Sequence, residues 1–153
     1  MSTLAIPAAG SAAPARSRAE SLALLALRLC LVPLFYYSGV GKVMNFTATA
    51  ARLTGSADVL GSVLTAGAIA IELGVSTALL LGIFARSAAL VLIVFTAAAT
   101  LMFHKFWASP DGQVVMQTIN FLKNLGLIGG LFVIFAFGPG PWAIRSAPRG
   151  SAR

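Results

Sequence analysis

The chain has 153 residues, 58% of them hydrophobic and 10% charged, whereas a soluble domain carries about 25% charged residues. Its mean hydropathy of +0.91 excludes an ordinary soluble globule, and four apolar runs at about 20 residues per crossing leave no room for a second domain. The 11 Lys+Arg against 4 Asp+Glu, net +7, would suggest nucleic acid in a soluble chain. Here the basic residues sit mostly in tails and connections, so they read as topology signals and no nucleic-acid partner is expected. One cysteine, Cys30, and one histidine, His104, exclude a disulfide framework, a Cys-x-x-Cys pair and a bis-His haem within one chain. No intrinsic cofactor or metal site is expected, and electrons would have to come from a partner or a diffusible molecule.

Residues 1–20 are rich in Ala, Ser, Pro and Arg and are expected to form a disordered tail. A four-helix membrane domain over residues 21–142 and a basic tail over 143–153 complete the organisation, an all-α four-transmembrane-helix bundle. The first span is predicted over Ser21–Met44, an uncleaved signal anchor with Pro33 inside it. A polar connection, Asn45–Gly61, precedes the second span at Ser62–Phe84. The third span, Ser87–Trp107, follows an Ala85-Arg86 hairpin. Ser109-Pro110-Asp111-Gly112 is turn chemistry. The fourth span, Met116–Phe137, is stopped by Gly138-Pro139-Gly140-Pro141.

Four spans put both termini on one side, with Arg16, Arg18, Arg86, Arg145, Arg149 and Arg153. The other side holds Arg52 and Lys105, with Lys42 at its border. The positive-inside rule makes the arginine-rich side cytoplasmic, in a bacterial-type plasma membrane, with Phe103, Phe106 and Trp107 at the outer interface and Trp142 at the inner one. Ala66, Ala70, Gly74, Ala78 and Gly82 recur every four residues, a small-residue ridge expected first to serve packing within the bundle, with a homo-oligomer interface as the alternative.

Charged groups in a span cost at least about 2.5–3.5 kcal/mol each, so they seek the interior and partners. Glu72 lies roughly 18 Å and Arg28 roughly 10 Å above the cytoplasmic end of their helices, and an Arg28–Glu72 bridge is the expected staple. In the outer half, Thr96, Thr100 and His104 share a stripe of span three, and Gln117, Asn120 and Asn124 share one of span four, flanked by Lys123. Span one adds Tyr36, Tyr37 and Ser38, with Arg28, Phe35 and Lys42 at heptad spacing; span two adds Thr65, Glu72 and Ser76. Converging, these faces would enclose a polar pocket open to the outer side. Its candidate ligand-binding residues are Arg28, Tyr36, Lys42, Glu72, His104, Asn120, Lys123 and Asn124; no catalytic residue is assigned. Gly39-Val40-Gly41-Lys42 is not a phosphate loop, since it lies in an apolar helix without a preceding strand.

From about Leu24 to Arg145 the chain resembles the DoxX family of small four-span membrane proteins. The likeness rests on Leu27-Arg28, Phe35, Gly39 and Gly41-Lys42; on Glu72-Leu73-Gly74 with Leu81 through Ala89; on His104; and most of all on Asn120 through Gly130, with Gly138-Pro139-Gly140 after it. Ala143-Ile144-Arg145 replaces the acidic residue usual in that family after Gly-Pro-Gly. The resemblance implies a membrane subunit or accessory of a redox system, at most one subunit of a quinone-linked oxidoreductase, with a soluble or peripheral redox enzyme as partner. On this reading a quinone or small anionic ligand would occupy the pocket, where His104, Lys123 and a tyrosine supply hydrogen bonds or protons and Glu72 relays them. Two alternatives stand beside it: a small proton-coupled transporter using Glu72, and a structural anchor for a partner enzyme.

Overall fold

The computed structural model describes residues 16–144. Among them are four helices long and apolar enough to cross a membrane: α1 (Arg18–Met44), α3 (Val59–Leu81), α4 (Ala85–Phe103) and α5 (Asp111–Phe137), with a short α2 (Phe46–Thr54) after the first. The chain is therefore an all-α, four-span membrane protein. The tail expectations for residues 1–15 and 145–153 lie outside the described residues.

Helix α1 begins three residues before the predicted start because Ser17 and Glu20 form a capping box. The Ser17 Oγ accepts from the Glu20 N–H, and the Glu20 carboxylate accepts from the Ser17 N–H, each at 3.1 Å. Pro33 is inside the helix, which continues to Met44. The predicted polar connection contains α2, whose fully buried Ala50 packs against α3. A Cβ on Gly61 would stand 2.5 Å from the Ala50 carbonyl oxygen, so only glycine lets these two helices meet. Asp58 caps α3 by accepting from the Gly61 N–H at 2.7 Å.

The second span stops at Leu81, not Phe84, because Gly82 turns left-handed at φ 78°. The Gly82 N–H then bonds the Leu79 carbonyl and the Ile83 N–H that of Ala78. Phe84, also left-handed, precedes α4, so Ala85-Arg86 opens that helix instead of forming the hairpin. The third span ends at Phe103; His104 leaves helical geometry, and Phe106–Ala108 form a 3-10 turn. Phe106, Trp107 and Phe121 meet edge to face at 5.1–6.0 Å.

Helix α5 packs mainly on α4 and less extensively on α1, while α1 and α4 flank α3. The expected ridge serves this packing only toward its tail end. Ala66, Ala70 and Gly74 are exposed, whereas Ala78 is half-buried and Gly82 is buried against Ala143, so the ridge changes face across the π turn at Ala70–Val75. Close approach between helices occurs elsewhere. A Cβ on Gly39 would stand 2.7 Å from Leu73 Cδ2, and one on Gly130 would stand 3.1 Å from Leu31 Cδ2, whereas Gly126 faces open space.

The two halves of the bundle differ in what they bury. Toward the end that holds Arg16 and residues 138–144, here the tail end, the core is apolar but for Ser21 and Arg28, built from Leu31, Phe35, Leu79, Leu92, Leu131 and Ile134. Toward the opposite, loop end the buried side chains include Thr65, Glu72, Thr96, Thr100 and Asn124.

Candidate functional site

Side chains on a helix lean toward its N-terminus. Helix α1 starts at the tail end, so Arg28 and Lys42 both lean that way. Helix α3 starts at the loop end, so Glu72 leans upward. Lys42 and Glu72 thus meet, while Arg28 turns away.

The Lys42 Nζ donates to Glu72 Oε1 at 2.8 Å and to Ser38 Oγ at 2.7 Å, and Ser38 donates to the same carboxylate oxygen at 3.0 Å. Glu72 is buried, and the Lys42 side chain is one quarter exposed. The other carboxylate oxygen, Oε2, is buried and makes no hydrogen bond among the described residues. Glu72 sits inside the π turn, with Ser76 Oγ donating to its carbonyl. One turn deeper, the Tyr36 hydroxyl meets Thr77 Oγ1, and Thr77 in turn donates to the Leu73 carbonyl.

The expected Arg28–Glu72 bridge is absent. Arg28 is buried, donating from Nη1 to the Leu80 carbonyl at 2.7 Å and from Nη2 to the Trp142 carbonyl at 2.6 Å. Its cation stands at the C-terminus of α3, where the helix dipole is negative. With Ile144 donating to Leu81 at 2.8 Å, the carbonyls of residues 78–81 all have partners, which a helix end inside a membrane requires. Arg86 and Arg16 do the same for the carbonyls of Ala136 and Phe137 at the end of α5. Three arginines on the tail side therefore close helix ends.

The α4–α5 face carries two further contacts. Asn124 Nδ2 donates to Thr100 Oγ1 at 2.9 Å, and that hydroxyl donates to the Thr96 carbonyl at 2.6 Å. His104 Nδ1 pairs with Gln117 Oε1 at 2.8 Å at the half-exposed loop end. Thr96 Oγ1 is buried without a hydrogen-bond partner among the described residues. Lys123 is exposed and donates to Asn120 Oδ1 at 3.2 Å.

Of the eight candidates, then, Lys42 and Glu72 are joined directly, and Tyr36 pairs separately with Thr77. Asn124 and His104 have partners across the α4–α5 face, Asn120 and Lys123 hold each other, and Arg28 stands at the tail end. Thr77 escaped the sequence reading because it lies five residues from Glu72, off the face that Thr65, Glu72 and Ser76 share. The described residues hold no cluster of three or more metal-ligating side chains.

The DoxX family model matches residues 23–105, ending before α5. The chain is similar to two inner membrane proteins of Escherichia coli (strain K12). YphA is 26% identical over 122 residues, covering 80% of this chain and 87% of that protein. YqjF is 29% identical over 125 residues, covering 82% and 91%. No solved structure matches.

Proposed function

The chain belongs to the DoxX family, and on that premise we propose that it is an inner-membrane accessory or subunit of a redox system. Its ligand is a quinone or small anion held in the loop half of the bundle. The reading is carried by the Lys42–Ser38–Glu72 cluster. An ion pair in a span is costly to keep, and this one leaves a partly exposed ammonium with one N–H beyond those it gives to Ser38 and Glu72. That N–H is the kind of donor that a quinone carbonyl or an oxyanion needs. The described residues offer no thiol pair or metal cluster, so a peripheral redox enzyme would provide the electrons. The chain's part is to bind and orient.

The test is binding of a short-chain ubiquinone, and separately of thiosulfate, to the purified protein in lipid nanodiscs, followed by tryptophan fluorescence. Saturable binding that is lost in Lys42→Met, with thermal stability measured on the same preparations, supports the proposal. Absence of binding for both probes rejects it and favours a structural anchor for a partner enzyme.

A further inference from the structure

Two buried polar atoms without hydrogen bonds among the described residues, Glu72 Oε2 and Thr96 Oγ1, belong to elements that pack on each other, the π turn of α3 and helix α4. They also stand at nearly the same depth. The two helices run antiparallel from the turn at 82–84. Glu72 lies nine residues above Leu81, and Thr96 eleven residues above Ala85, or about 14 and 17 Å at 1.5 Å per residue. A carboxylate oxygen can only accept, and a hydroxyl can donate and accept.

Above Thr96 the stripe continues with Thr100 and His104, each four residues and so about 6 Å further along α4. One water bridging two polar atoms by two hydrogen bonds of about 2.8 Å spans that step. Asn124 and Gln117 on α5 pair with Thr100 and His104, giving the stripe polar neighbours up to the half-exposed His104. A buried water needs about two to four such groups. In hydrocarbon this is an unusual concentration of them.

We infer that Glu72 exchanges a proton with the loop side through a water file that runs from its free Oε2 past Thr96 and Thr100 to His104. The charged group facing Glu72 from α1 is Lys42, on the other carboxylate oxygen. Arg28 of the same helix is held by the Leu80 and Trp142 carbonyls at the tail end. Between Arg86 and His104, α4 has no ionisable side chain. Lys42 thus fixes one oxygen while Oε2 takes and returns the proton, which enters at His104. No bond other than O–H and N–H bonds changes and no electron moves. The inference goes beyond the ligand reading and stands without it.

The experiment is rapid-scan infrared spectroscopy of the ligand-free full chain in vesicles after a pH jump from neutrality to about pH 3, below the ordinary carboxylate range. The Glu72 carboxyl band is identified by its loss in Glu72→Gln. Thr96→Val, of nearly the same shape, should slow its appearance by about tenfold or more, and Thr96→Ser should restore the wild-type rate. His104→Phe, at the half-exposed mouth, should slow it too and carries the test should Thr96→Val not fold. A wild-type rate in either blocked variant, or no Glu72-dependent band in the wild type, overturns the inference.

Discussion

Removing Lys42 should destabilise the protein through the carboxylate it leaves behind. At 2.8 Å two unit charges attract by about 6 kcal/mol at an effective dielectric constant of 20, before desolvation is counted. Breaking a buried pair by deleting one partner costs about 3–5 kcal/mol. Lys42→Met should fall near 3 kcal/mol of that range, because the lysine side chain is one quarter exposed and Ser38 still donates to Oε1. Glu72→Gln should cost less, since the freed ammonium can turn to the loop-end headgroups. The double variant strands neither charge, so the cycle should return a coupling of about 2–3 kcal/mol. Denaturant unfolding in mixed micelles, followed through Trp107 and Trp142, measures all four proteins. Losses that add to within about 0.5 kcal/mol would refute the pairing.

Arg28→Met should cost about 2–6 kcal/mol by stranding the Leu80 and Trp142 carbonyls, and combined with Glu72→Gln its loss should be additive in the same unfolding assay. Gly39→Ala should cost about 1–3 kcal/mol, because the new methyl meets Leu73 at 2.7 Å and presses on the π turn; a melting temperature equal to wild type would contradict the packing. The Gly61 N–H, and after it the Thr54 hydroxyl, hold the Asp58 carboxyl below its ordinary range. Its contribution is complete above the unfolded carboxylate pKa and is lost as pH falls through the lower folded one. The protection of the Gly61 amide against hydrogen exchange, relative to a free amide at the same pH, should therefore fall in acid in the wild type and show no such fall in Asp58→Asn. Reporter fusions after Arg153 and near Gly55 should report opposite sides of the membrane, with residue 153 cytoplasmic; the reverse would mean that the arginines serve the helix ends alone.

Hydropathy alone determined that the chain crosses the membrane four times, because a span must be long and apolar whatever it packs against. The sequence also marked out Lys42, Glu72, Thr100, His104 and Asn124, since polar groups in hydrocarbon stand out without a structure. Helix ends were less legible. The Ser17–Glu20 box was readable and extends α1, whereas α2 has nine residues and is stabilised by Ala50 under Gly61, a contact between helices. Which groups pair was decided by the tertiary structure. Arg28 and Lys42 lie on one heptad stripe, and only the antiparallel run of α1 and α3, with side chains leaning toward opposite ends of the bundle, sends Lys42 to Glu72 and Arg28 to the end of α3. The π turn has no signature in a single sequence. Its extra residue per turn rotates one part of α3 against the other by about 100°, and the small-residue ridge, which faces outward at Ala66, Ala70 and Gly74, turns inward to the buried Gly82 beyond it.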